Sequence, residues 1–182
     1  MNYNNIIAII AAVLLSACTL KVPPYNADIG NVSKLKKATN EPLSLGKIES
    51  EKKLNKLSLR GSPLISSVGT SYGQYIENAL QQELELAKLW SGVAKKQVSG
   101  KVIAQDIDIS GFSDGSAFLK VNFIVSEEGA TLYDKVITAE HNFDSSFMGS
   151  IAIPNGQRSY VELVQKLLSN LYSDKEFIAS LK

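Results

Sequence analysis

Ala117-Phe118-Leu119-Lys120-Val121-Asn122-Phe123-Ile124-Val125 has a period of two that places Leu119, Val121, Phe123 and Val125 on one face. Side chains of a strand alternate between its faces, so the run reads as a strand with one buried side. The runs on either side agree. Val98–Ile109 is rich in Val and Ile, with a register break expected near Ala104. Leu132–Phe143 sets Tyr133, Ile137, Ala139, His141 and Phe143 on one side. The connections Gly111–Gly115 and Glu127–Gly129 are short and contain glycine, which predicts an antiparallel meander.

Upstream, Pro42–Glu49 alternates and reads as a first strand, with Asn55–Arg60 extending or following it. Ser71 reads as an N-cap with Gln74 as its capping-box partner. The helix after it runs from about Tyr72 to Trp90, with Tyr72, Tyr75, Ile76, Ala79, Leu80, Leu84 and Ala87 as its apolar stripe and Gly92 as its stop. Downstream, Asp144–Pro154 reads as a loop. A final helix capped by Asn155 or Ser159 carries Tyr160, Val164, Leu167, Leu168 and Leu171, and Asp174 caps a last short turn. The order β-α-β-β-β-α predicts an α+β class: a two-layer domain, an antiparallel sheet of about four strands with two helices on one face. The other sheet face is left to solvent or a partner.

The first forty residues differ in kind. Ile6–Ala17 is a short apolar stretch, below the roughly twenty residues that a membrane-spanning helix needs. Lys21, Pro23 and Pro24 follow it. The stretch ends in Leu15-Ser16-Ala17-Cys18, and Cys18 is the chain's single cysteine. This run resembles the lipobox of bacterial lipoproteins, although Met1–Asn5 carries no Lys or Arg. The resemblance implies a signal peptide at 1–17, with Leu15, Ser16 and Ala17 read by the peptidase. It also implies a diacylglyceryl group on Cys18, with membrane association through that anchor. Thr19, in place of the Asp that retains such proteins in the inner membrane, implies the periplasmic face of the outer membrane. Residues 18–41, with Pro23-Pro24, Asn26, Asp28, Gly30 and Asn31, read as a lipidated N terminus and flexible tether, and 42–182 as the periplasmic domain.

Little in the sequence points to catalysis. With one cysteine and one histidine, no zinc, haem or CxxC spacing exists. His141 falls on the apolar side of its strand and reads as structural. Asp106, Asp108 and Asp114 lack the spacing of a calcium loop. Phosphate-cradling glycine motifs and a GxSxG elbow are absent. No cofactor, metal or enzymatic activity is expected. A net charge of +1, with aromatics not interleaved among the Lys34–Arg60 basic residues, argues against nucleic acid. Phe147-Met148-Gly149-Ser150-Ile151-Ala152-Ile153-Pro154 is an apolar loop with a methionine. Phe147, Met148, Ile151 and Ile153 are the candidate partner surface, the alternative being that they complete the core.

Arg60-Gly61-Ser62-Pro63-Leu64, Tyr72-Gly73-Gln74-Tyr75 with Ala79-Leu80 and Glu83-Leu84, Ser99-Gly100, Ser145-Ser146-Phe147 and Ile153-Pro154 with Tyr160 extend the resemblance. Together they are similar to a group of uncharacterised proteobacterial lipoproteins. The likeness is looser to YajG-like lipoproteins and to the auxiliary lipoproteins of lipid-transport ABC systems. It covers roughly residues 58–178 and implies a periplasmic α+β domain on a lipid anchor, with no catalytic residue to carry over. The leading expectation is a non-enzymatic accessory or scaffold protein of the envelope that binds a protein partner. The alternatives are a lipid or glycan carrier component with a groove between helices and sheet, and, more remotely, a hydrolase built on His141.

Overall fold

In the computed structural model, which describes residues 19–182, the period-two run lies inside a four-stranded sheet. Residues 1–17, read above as a signal peptide, and the expected lipidation site Cys18 fall outside the described residues. Chain order is β1 (Leu20–Lys21), α1 (Ile29–Ala38), β2 (Ser44–Glu49), a 3-10 turn (Lys52–Asn55), β3 (Leu57–Leu59) and β4 (Ser62–Ile65). It continues with α2 (Tyr72–Ala87), β5 (Lys96–Asp108), β6 (Asp114–Glu127), β7 (Ala130–Asp144), α3 (Gly149–Leu171) and α4 (Lys175–Ser180). The main sheet has the order β2-β5-β6-β7. The meander β5-β6-β7 is antiparallel as expected, while β2 joins β5 in parallel. That pairing follows from the connection: α2 returns the chain to the end where β2 began, so the next strand must run the same way. The sheet is therefore mixed.

A bulge sits between Val102 and Ala104, where the sequence marks its register break. The extra residue flips the side-chain parity, so Val98 and Val102 before it and Ile107 after it all face the core. On β6, Leu119, Val121, Phe123 and Val125 are fully buried. α2 and α3 cover this face, and α1 packs against both helices from outside. Gly73 lets α2 settle on β2, since a Cβ there would collide with the Ile48 carbonyl oxygen.

Tyrosines fill the centre. Tyr160 contacts Tyr72 and Tyr75 at centroid distances of 4.8 and 5.6 Å. Each hydroxyl has an acceptor: Tyr72 donates to the Leu64 carbonyl (2.7 Å), Tyr75 to the Pro23 carbonyl (2.8 Å) and Tyr160 to Gln105 Oε1 (2.7 Å). A buried ring with a satisfied hydroxyl keeps its large apolar contribution without an unpaired dipole. A second sheet, of order β1-β4-β3, closes one end of the core with Leu57, Leu59 and Leu64 buried.

Three expectations are corrected. The stretch after Cys18 is not a flexible tether. Leu20-Lys21 pairs with β4, Val22 and Tyr25 are buried, and Ile29–Ala38 is a helix whose N-cap Asp28 accepts from Asn31 N at 2.8 Å. Asp144–Pro154 is not all loop, because α3 begins at Gly149 and carries Pro154 inside it. Proline there removes the bond to the carbonyl of Ser150, an exposed residue. α2 ends at Ala87 on Lys88, whose φ of 62° is left-handed, before the expected stop at Gly92. Its N terminus is a modified capping box. Ser71 Oγ accepts from Gln74 N (3.2 Å), but Gln74 Oε1 accepts from Thr70 N (2.6 Å), one residue earlier than the usual arrangement.

Candidate interaction surfaces

Phe147, Met148, Ile151 and Ile153 stand at the β7–α3 junction. Phe147 and Met148 are 72% and 59% exposed and Ile151 is 46% exposed, so they do not complete the core; Ile153 is half-buried and packs against it. The structure adds a residue the sequence reading passed over. Phe112, in the β5–β6 turn and 80% exposed, stacks on Phe147 with centroids 5.7 Å apart and planes 12° from parallel. A lone aromatic in a Gly-Phe-Ser turn was the available signal.

Arg60 fixes this arrangement. It occupies the β3–β4 turn at φ 51°. Its guanidinium donates to the carbonyls of Phe147 (2.6 Å), Ser146 (2.5 Å) and Ile109 (3.3 Å). Three loops from distant parts of the chain are thereby joined, since the planar fork carries several donors in fixed directions. Ser145 N adds a bond to the Ser113 carbonyl at 2.7 Å. The apolar cluster is a built surface on a braced loop.

The outer face of the main sheet is the second surface. Ile103, Phe118 and Val136 are exposed on it, among Lys101, Lys120, Asp134 and Glu140. Asn122 Nδ2 bonds Asp134 Oδ1 across β6 and β7 at 2.8 Å. The face is more polar than the covered one, and apolar side chains are interspersed in it.

An open cleft of about 580 Å³ lies between the end of β2 and the start of α2, lined among others by Lys47, Glu49, Lys52, Glu77 and Lys101. Glu51, which also lines it, gathers two lysines, with Lys53 Nζ 3.2 Å from its Oε2. Glu51 Oε1 meets Lys101 Nζ at 2.9 Å, and these bonds hold the Glu51 carboxyl below its ordinary value. Glu77 accepts from Ile48 N at 3.2 Å.

His141 stands at the sheet margin. Its Nε2 is 2.8 Å from Glu162 Oε2, and its ring stacks on Phe143 at 6.0 Å. Asp106 and Asp108 share an exposed strand face, and Asp108 accepts from Ser110 N at 2.7 Å. Asp114 accepts from Ser113 Oγ. Among the described residues no group of three or more His, Cys, Asp or Glu side chains is placed to hold a metal ion, and no helix is long and apolar enough to cross a membrane.

No protein-family model matches the chain, and no curated protein matches it by sequence. Solved structures share its fold. A member of the DUF330 family from Xanthomonas campestris superposes with a TM-score of 0.60 at 11% identity, covering 88% of this chain and 94% of its own. A candidate lipoprotein from Caulobacter crescentus superposes with a TM-score of 0.51 at 13% identity, covering 84% and 96%. At these identities the likeness is one of architecture: the chain has the two-layer α+β fold of these bacterial proteins over nearly their whole length.

Proposed function

We propose that this chain is a lipid-anchored accessory protein of the bacterial envelope that binds a protein partner and does no chemistry itself. The observation that carries this reading is a filled helix–sheet interface beneath a sheet face with uncovered apolar side chains. A lipid or glycan carrier needs a continuous groove between helices and sheet. Here Tyr72, Tyr75, Tyr160, Leu119, Val121 and Phe123 occupy that space, all of them at 0% exposure. A hydrolase needs His141 to activate a serine; the open cleft beside His141 does hold Ser159, Asp144 and Glu162, but Nε2 of His141 faces Glu162 at 2.8 Å while the buried Ser159 hydroxyl donates to the Gly156 carbonyl at 2.9 Å. The partner contact falls on the outer sheet face around Phe118 and Val136.

The anchor rests on Leu15-Ser16-Ala17-Cys18. Cleavage before Cys18 and acylation of its thiol and amine supply more than one chain, and stable anchoring takes more than one. Thr19 directs the protein to the periplasmic face of the outer membrane. The fold likeness to a candidate lipoprotein supports an envelope location.

Metabolic labelling with palmitate in a proteobacterial host tests the anchor. Wild-type protein takes up label and sediments with outer membranes. Cys18→Ala takes up none and keeps its leader. Mature wild-type protein with a free Cys18 thiol would refute the anchor.

A further inference from the structure

β1 runs parallel to β4, with Leu20 opposite Leu64 and Lys21 opposite Ile65. The N-terminal end of β1 therefore points along β4 toward Ser62 and the Arg60-Gly61 turn. That turn is the one whose Arg60 holds the Phe147 carbonyl. Only Thr19 separates β1 from Cys18, and consecutive Cα atoms are about 3.8 Å apart, so an acyl anchor on Cys18 is joined to the chain within about 8 Å of Leu20. The domain cannot stand off from the leaflet that holds the acyl chains. The end of the molecule bearing Arg60, Phe112, Phe147, Met148 and Ile151 is held against it.

We propose that this end is a bilayer-docking surface, with the stacked Phe112 and Phe147 rings, Met148 and Ile151 inserted at the boundary between headgroups and acyl chains. The inference rests on the Cys18 anchor proposed above. Aromatic and long aliphatic side chains favour that boundary, and apolar faces of interfacial elements sit about 5–10 Å into it. Arg60 bonds the cluster's own backbone, and Lys21 and Arg158 stand at this end of the molecule together with Asp108, Asp114 and Asp144. These charges oppose one another, so apolar burial drives the contact and added salt leaves it intact. Insertion fixes the orientation. The strands of the meander rise from the membrane, and the outer sheet face is presented sideways to a partner.

Trp90, the single tryptophan, supplies an internal control. It bridges Leu43 beside the start of β5, so it lies about thirteen residues of strand, roughly 40 Å, from the Phe112 turn. Purified full-length lipidated protein is reconstituted into phosphatidylethanolamine vesicles with brominated acyl chains, once as wild type and once as Phe147→Trp. Bromine quenches indole only at contact depth. Expected are unquenched wild-type emission and a quenched, blue-shifted added component for Phe147→Trp, unchanged in 0.5 M salt (a setting chosen for its Debye length of about 4 Å). Phe112→Trp is expected to repeat the result from the other ring of the stack.

If the protein floats with the vesicles while the added indole stays unquenched, the anchor stands and docking is refuted. Protection of that indole only at protein concentrations that sediment as dimers assigns the cluster to a second copy and also refutes docking. Failure to float, with unmodified Cys18 by mass spectrometry, overturns the anchor and the docking together.

Discussion

Glu83 is a carboxyl sealed in the helical layer with 0% exposure. Its Oε1 accepts from Tyr25 Oη (2.6 Å), Asp28 N (3.2 Å) and Asn31 Nδ2 (3.2 Å). It is the point where the N-terminal segment is fastened to α2. Burial raises its pKa above the ordinary carboxylate value, and the hydrogen bonds offset part of that rise. A carboxyl with a raised folded-state pKa binds its proton more tightly in the native state. Its contribution to stability is fully present below about 4.5, the ordinary value, and is lost as pH rises through the folded-state value. Glu83→Gln keeps an oxygen for the three donors and offers an amide to the facing Tyr172 hydroxyl. It is expected to raise stability at pH 7.5 and to flatten the fall between pH 4.5 and 7.5, read from denaturant midpoints across pH. Glu83→Ala leaves buried donors unpaired and is expected to cost roughly 3 kcal/mol or more. An unchanged pH profile in the Gln variant would show that Glu83 is not the titrating group. The position was legible in principle: Glu83 falls four residues after Ala79 and three after Leu80, inside the apolar stripe of α2. A charged residue at a core position of a helix is a signal for a buried polar network.

At the scale of elements, legibility followed the strength of periodicity. The meander strands alternate over ten or more residues and bury an entire face, so their pairing and even the bulge near Ala104 could be read from the residues. α1 could not. In Ile29–Ala38 the buried positions are Asn31, Val32, Leu35 and Ala38, a stripe of one polar and three apolar residues among lysines and behind Pro23-Pro24. Such a stripe does not hold a helix alone, and its stability comes from the surface it meets. That surface is α2 and α3, brought there by contacts distant in sequence. Lys34 Nζ bonds Ser169 Oγ at 2.7 Å and Asn31 Nδ2 bonds the Gln165 carbonyl at 2.9 Å. The start of α3 was hidden for a related reason, since Pro154 reads as a breaker but falls early in the helix, where one lost bond is tolerated.

A marginal helix held by tertiary contacts should be released as a unit. Leu35→Ala empties a side chain that is 1% exposed and is expected to cost about 2–4 kcal/mol. Hydrogen exchange should show protection lost across 29–38 while β5–β7 remain protected. Uniform loss over the whole domain would mean that α1 is integral to the cooperative core. Gly73→Ala addresses the opposite case, a strong element under a tight constraint. Its methyl group would meet the Ile48 carbonyl, so α2 must lift from β2, and a Tm fall of several degrees is expected.

For the whole molecule, the question is how a domain with one filled core presents two surfaces. β7 is an edge strand of fifteen residues, a hazard for uncontrolled strand pairing. Side chains of α3 blunt it, with Asn170 Nδ2 bonded to the Thr138 carbonyl and Asn155 Nδ2 to the Asp144 carbonyl. The proposed partner contact lies instead on the outer sheet face, where Phe118 is 36% and Val136 48% exposed. Apolar anchors within a polar surround suit a reversible protein contact. Changing Phe118 and Val136 together to Lys puts two charges on that face without touching the core. The melting temperature is expected to stay within about two degrees, as for surface substitutions that cost under 0.5 kcal/mol. Photo-crosslinking in cells from a probe at Lys120, between the two positions, is expected to yield a discrete adduct in the wild type and at least tenfold less in the double variant. An adduct of equal intensity in both would remove the outer face from partner binding. A large fall in melting temperature would instead mean that Phe118 and Val136 hold the sheet itself together.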